Sequence, residues 1–152
     1  MALAAGCGAS PADQAQASAP ATARVAQSTT DDPCRFFTAE AMGRAFGRQM
    51  KSSRLVDVCK YLGAGTDVVF VKVAAGREGT ILRHLKGASA QSQNGVEKVA
   101  TSVGEAYFDS TLPVFIGRVG NHEVQIETTI QPLPRDAMIA VGTRLMETLA
   151  RK

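Results

Sequence analysis

A chain of 152 residues holds one domain of ordinary size, and a single hydrophobic core is the expectation. Hydrophobic residues make up 45% but aromatics only 5%, with no Trp, so that core is built from Val, Leu, Ile, Ala and a few Phe and gains from a covalent staple. The net charge of +3 is modest and its basic residues are dispersed among acids, which excludes the concentrated basic footprint of a nucleic-acid-binding protein.

The chain opens Leu3-Ala4-Ala5-Gly6-Cys7. Small residues before a cysteine resemble the lipobox of bacterial lipoproteins, in which the cysteine is diacylated and becomes the mature N-terminus. Ala4 stands where a larger aliphatic is usual. Only six residues precede Cys7, short of the charged start and apolar stretch of roughly 7–15 residues that a secretory signal needs. Met1 is therefore expected to lie inside the apolar region of a longer signal, with 1–7 its remnant. From Gly8 to Asp31 the sequence is almost wholly Ala, Ser, Thr, Gln, Pro and Gly, with Val25 its one sizeable apolar side chain. Such a segment cannot bury enough surface to offset the entropy of ordering, and is expected to be a disordered tether spanning about 25–30 Å. Gly8 rather than Asp after Cys7 implies, by resemblance to known sorting signals, the outer membrane of a diderm cell. The single domain is expected over 32–152.

With Cys7 assigned to lipid, Cys34 and Cys59 remain, and an even pair in an exported domain is most economically a disulfide. Closing a loop of that length stabilises the fold by roughly 3 kcal/mol.

Thr38 is placed to cap a helix running through Phe46, with Met42, Ala45 and Phe46 on one side and Gly47 ending it. Arg54 to Leu62 alternates as one strand, with Leu55, Cys59 and Tyr61 facing one way and Val56, Val58 and Leu62 the other. A Gly63-Ala64-Gly65-Thr66 loop joins it to a β-branched run, Asp67 to Ala74, to make a hairpin. Thr80 to Lys86 carries Ile81, Leu82 and Leu85 at helical spacing, and Ser89 to Gly95 reads as a loop. Val96 to Val103 and Ala106 to Phe108 read as strand or irregular crossing. Leu112 to Val119, a Gly120-Asn121 turn and His122 to Ile130 form a second hairpin, and in its last strand apolar and polar residues alternate, so one face is buried and the other wet. Pro132 and Pro134 precede a helix from Arg135 with Met138, Val141, Leu145 and Leu149 as its apolar stripe, Gly142 allowing close approach. The order predicts an α+β fold: a twisted antiparallel sheet of two hairpins, helices packed mainly on one face, and one disulfide.

Asp32-Pro33-Cys34 followed by an apolar pair and Thr38-Ala39-Glu40, then Gly47, Cys59-Lys60-Tyr61 and Val103-Gly104-Glu105-Ala106-Tyr107-Phe108-Asp109, resemble a broad group of small secreted lipoproteins of unknown function. That group is best known from actinobacteria and also occurs in proteobacteria. The resemblance covers most of Asp32 to Lys152 and implies export and a disulfide; it brings no catalytic residues.

Chemistry-bearing patterns are sparse. His84 and His122 have no neighbouring His, Asp or Cys at metal-ligand spacing, so no metal or cofactor is expected. The nucleophile, zinc-protease and phosphate-loop motifs are missing, and Gly63-x-Gly65 is explained by a hairpin loop. Glu105 and Asp109 flank Tyr107 and are expected to hold a turn rather than pair as acid and base. Arg44, Arg48, Lys51 and Arg54, four cations with no acid between them, are the candidate binding cluster for anionic lipid, cell-wall polymer or an acidic protein; cations also favour a helix C-terminus for its dipole alone. The expectation is an envelope-anchored, periplasm-facing, non-enzymatic binding or accessory module. An inhibitor or immunity protein would meet that description. The alternative is an envelope hydrolase or small-ligand carrier with a site assembled from dispersed residues. A deep pocket of converging polar groups would favour the alternative, a shallow surface the first reading.

Overall fold

The computed structural model describes residues 32–152; Cys7 and the tether Gly8–Asp31 lie outside the described residues. Asp32 caps a 3₁₀ turn, Pro33–Arg35, its Oδ1 accepting from the Cys34 amide at 3.0 Å. Helix α1, Ala39–Phe46, starts where Thr38 Oγ1 accepts from the Ala41 amide at 3.1 Å and stops at Gly47, which takes the left-handed conformation (φ +63°). Met42 and Phe46 are buried as expected, but Ala45 is exposed. Gly43 takes the tight place instead, since a Cβ there would stand 2.4 Å from the Arg48 carbonyl oxygen.

The run expected as one strand is two. Strand β1, Lys51–Leu55, turns back into β2, Val58–Leu62, through Val56 and Asp57, and Val56 has φ +46°. The turn reverses the facing of Leu55, which pairs with Val58 on the side opposite Cys59. Strand β3, Val68–Ala75, completes the expected hairpin, its loop closed by the Gly63 amide on the Asp67 carbonyl at 2.8 Å. Helix α2 runs over Thr80–Ala90, four residues past its expected end. The irregular region resolves into β4, Val96–Val99, and β5, Glu105–Asp109. Strands β6, Val114–Val119, and β7, His122–Thr128, form the second expected hairpin, and α3, Arg135–Ala150, ends the chain.

All seven strands form one antiparallel sheet in the order β1-β2-β3-β7-β6-β5-β4, the two halves joined where β3 pairs with β7. The 3₁₀ turn, α1 and α3 lie on one face with the main core: Met42, Cys59, Tyr61, Val69, Val71, Val73, Phe108, Phe115, Ile126, Met138 and Leu145 among others. The α3 backbone approaches the sheet so closely that a Cβ on Gly142 would stand 2.2 Å from the Phe115 ring. Cys34 and Cys59 are disulfide-bonded, with Cα atoms 5.0 Å apart, pinning the 3₁₀ turn to β2. Beside that staple the Tyr61 hydroxyl donates to the Phe37 carbonyl at 2.9 Å. Burial, with the nearby Asp32 carboxylate as the lesser cause, pushes the Tyr61 phenol up to about 12.

Helix α2 is the exception to the one-sided packing. It lies on the opposite face over β4, β5 and β6, where Leu82 and Leu85 pack on Tyr107, Val114 and Ile116. Its start is tied down by charge. The Gly79 amide donates to Glu123 Oε2 at 2.7 Å, and Lys86 Nζ reaches Glu105 Oε1 at 2.9 Å and Glu78 Oε2 at 3.7 Å. The bond to Glu105 raises the Lys86 pKa, and burial raises that of Tyr107. Arg118, flanked by Glu105 and Glu123 on the adjoining strands, spends one amino group on the Gly76 carbonyl at 2.6 Å; the other has no hydrogen-bond partner among the described residues.

Candidate binding face

Because α2 packs mainly on β4 to β6, the rest of its face, over β1, β2, β3 and β7, is packed against no helix among the described residues. Strand alternation decides what stands there: residues next to the buried Cys59, Tyr61, Val69, Val71, Val124 and Ile126 point the other way. One row across the strands is Ser53, Lys60, Phe70 and Glu127; the next is Leu55, Val58, Lys72 and Gln125. Lys51, Leu62 and Val68 make a third. Cations thus lie toward β1 to β3 and carboxylates on β7, with Phe70 between them.

Neighbouring contacts hold these side chains. Lys60 Nζ lies 5.8 Å from the Phe70 ring centroid, a cation–π distance. Lys72 meets Asp57 at 3.0 Å, and hydrogen bonding to that ammonium lowers the Asp57 pKa. Gln125 Nε2 donates to the Glu127 carboxylate. A shallow hollow of about 210 Å³ lies among Val58, Phe70, Lys72, Gln125 and Glu127. Glu127 also borders a groove of about 510 Å³ along α2, floored by Leu85, Pro113 and Val114 and lipped by Ile81 and Leu112. Among the described residues the large hydrophobic side chains left exposed are Leu55 (47%), Val56 (89%), Leu62 (38%), Ile81 (40%) and Leu112 (59%). Leu55 and Leu62 stand on the β1–β2 side of this face, and Ile81 and Leu112 stand together on the α2 groove at its other side.

The basic cluster singled out in the sequence is dispersed into ion pairs. Arg44 pairs with Glu40 one turn back on α1, Arg48 with Asp67 at 2.8 Å, and Arg54 with Asp32 at 3.3 Å. Lys51 is exposed on β1 with its side chain toward the open face. Arg44, Arg48 and Lys51 do border one open depression, shared with Met50 and Leu62. His84 lies exposed on the rim of the α2 groove, and His122 stands half-buried at the start of β7. Glu105 and Asp109 do not converge, since four strand residues separate them by about 13 Å. Asp109 is buried and accepts from the Thr111 amide (2.7 Å), the Thr111 hydroxyl (2.6 Å) and the Leu112 amide (3.2 Å), capping a turn that follows β5, while Glu105 at the strand's other end pairs with Lys86. Tyr107 and Phe108 pack on opposite faces of β5.

Among the described residues no three His, Cys, Asp or Glu side chains are grouped to hold a metal ion, and no helix is long and apolar enough to cross a membrane. Comparison of the chain with protein-family models, with curated proteins and with solved structures finds no match.

Proposed function

We propose that the protein is held at the cell envelope by a lipid on Cys7 and that its domain is a non-enzymatic binding or accessory module, an inhibitor or immunity protein being one form of it, working through the open half of its sheet. The observation that carries this reading is the part of the sheet face on which no described helix rests, bordered by the exposed side chains of Leu55, Leu62, Ile81 and Leu112. The disulfide supports export, because such bonds persist in oxidising compartments. The polar groups of the α2 groove, His84, Glu127, Thr80 and Thr128, border it without forming hydrogen bonds to one another, which favours a contact surface over a hydrolytic site. The basic cluster is the lesser candidate, because three of its four charges are already met by acids.

Photo-crosslinking residues placed at Ile81 and Leu112, with Arg144 on the outer side of α3 as control, test the surface in the intact envelope. Adducts confined to positions 81 and 112 are expected; none at all, or equal yields at all three, would remove the face from consideration. The anchor is tested separately by mass spectrometry of the membrane-extracted protein and by Cys7→Ser, which should move the chain from the membrane to the soluble fraction.

A further inference from the structure

We propose that the β1–β2 turn is a membrane-contacting tip, at which Leu55 and Val56 enter the headgroup region of an anionic bilayer. The inference rests on the envelope-anchored reading of the chain and adds a second point of contact to it, independent of what the open face binds. Strand β1 ends the order of the described sheet and all five of its residues are exposed, so its turn into β2 stands at an outer corner. Val56, at that corner, is the most exposed of the large hydrophobic side chains among the described residues, and Leu55 precedes it. The turn suits Gly or Asn, yet a β-branched residue occupies the left-handed position. Its side chain is left in solvent, so packing within the described residues does not call for a valine there.

Cations ring the two apolar side chains. Arg54 Nε donates to the Val56 carbonyl at 3.3 Å, which lays the guanidinium against the turn, and its Nη1 reaches Asp32 at 3.3 Å. Arg35 shares that one carboxylate at 3.9 Å. Lys72 meets Asp57, the second residue of the turn, at 3.0 Å, and Lys60 stands on β2 between Ser53 and Phe70. Four cations thus meet two acids around the tip, while the carboxylates of β7, Glu123 and Glu127, stand two strands from β2, about 10 Å away. Apolar side chains framed by positive charge are what an element lying in the interface of an anionic membrane presents. Two side chains at a turn fall far short of the roughly 800 Å² per partner of a specific protein contact, whereas a bilayer requires no matching surface. The place of the anchor agrees. The residues that follow Cys7 join the domain at Asp32, and the carboxylate of Asp32 meets Arg54, the neighbour of Leu55. An acyl chain on Cys7 and the tip would therefore hold the same side of the domain against the membrane, with Ile81 and Leu112 of the α2 groove clear of it.

The chain contains no Trp, so a single indole introduced at the tip reports alone. The full chain carrying Cys7→Ser, with its disulfide intact, is made with Leu55→Trp and, separately, with Leu112→Trp as control. On vesicles of phosphatidylglycerol and phosphatidylcholine in equal parts, the first should shift its emission to the blue and be quenched by brominated acyl chains. The second should do neither, and phosphatidylcholine alone should shift neither. Co-sedimentation of the Cys7→Ser chain with the same vesicles measures the strength: adding Val56→Asn, which suits the turn, or Lys60→Glu should weaken binding about fivefold or more, and added salt should weaken it further. Thermal unfolding checks that each variant folds. A Cys7→Ser chain that does not associate with the anionic vesicles would overturn the proposal, as would equal shifts at positions 55 and 112, equal binding to phosphatidylcholine alone, or binding indifferent to Val56→Asn or to Lys60→Glu. Vesicle binding by a chain whose mass spectrum shows no acyl group on Cys7 would remove the anchor and uphold the tip; an acylated chain whose Cys7→Ser form ignores vesicles would keep the anchor and remove the tip.

Discussion

The same strands present two unlike surfaces. Toward α1 and α3, β2 and β3 offer Cys59, Tyr61, Val69, Val71 and Val73, all buried and closed over by helices and a disulfide. One residue along in each case, the opposite side offers Lys60, Leu62, Val68, Phe70 and Lys72 to solvent. The contrast is local to this half of the sheet. In β5 and β6, where α2 covers the second face, Ala106, Tyr107, Phe108, Val114, Phe115 and Ile116 are buried without alternation. Whether a strand alternates is thus set by whether a helix covers its second face.

Substitution of matched residues on the two sides gives the largest expected contrast. Phe115→Ala, beneath Gly142 of α3, should cost about 3–5 kcal/mol in denaturant unfolding, because the ring is enclosed and its site cannot collapse. Phe70→Ala on the open side should change monomer stability by about 1 kcal/mol or less. Equal losses would mean that the open face is part of the core, and the comparison would fail.

The pH dependence sharpens the closed side. An unfolded Tyr61 would release its proton near 10, whereas the folded one holds it until about 12. Between those values the unfolded state binds fewer protons, so stability present below pH 10 should fall as pH rises, by on the order of 1 kcal/mol per pH unit. In Tyr61→Phe that part of the alkaline slope should disappear. An unchanged slope in urea titrations from pH 9 to 12 would place the group elsewhere.

The smallest expected effect probes the open side. Val56 is β-branched, 89% exposed, and held in the left-handed region where Gly or Asn is comfortable. Val56→Asn should relieve that strain and raise the unfolding free energy by about 1 kcal/mol, measured by thermal melting. A destabilised variant would show that Val56 is held there by contacts within its own fold.

Much of the closed side was legible in the sequence. Thr38 and Gly47 bound α1, the stripe Met138, Val141, Leu145 and Leu149 is buried along α3, and the two remaining cysteines are bonded. The β1–β2 turn was not, because the usual signal of Gly or Asn is replaced by Val56-Asp57, and the apolar rhythm runs through without a break. The side chosen by α2 did leave a trace: Val114-Phe115-Ile116 is an uninterrupted apolar run, the mark of a strand covered on both faces, where the strands of the open half alternate. The ion pairs within the basic cluster were not legible, because acids that are distant in sequence, Asp67 for Arg48 and Asp32 for Arg54, become neighbours only through the fold. The open face combines residues from four strands and a helix, and no single window contains it.

The position of the staple has a mechanical consequence. Tension applied to the chain ahead of Cys34 passes through the disulfide directly to Cys59 in β2, and the intervening loop, which carries α1 and β1, lies off the load path. Pulling on the chain from that side would therefore bear on strand β2 inside the sheet, and β2 and β3 share their hydrogen bonds along its length. A short helix and an exposed edge strand are thus spared the force by a single covalent bond.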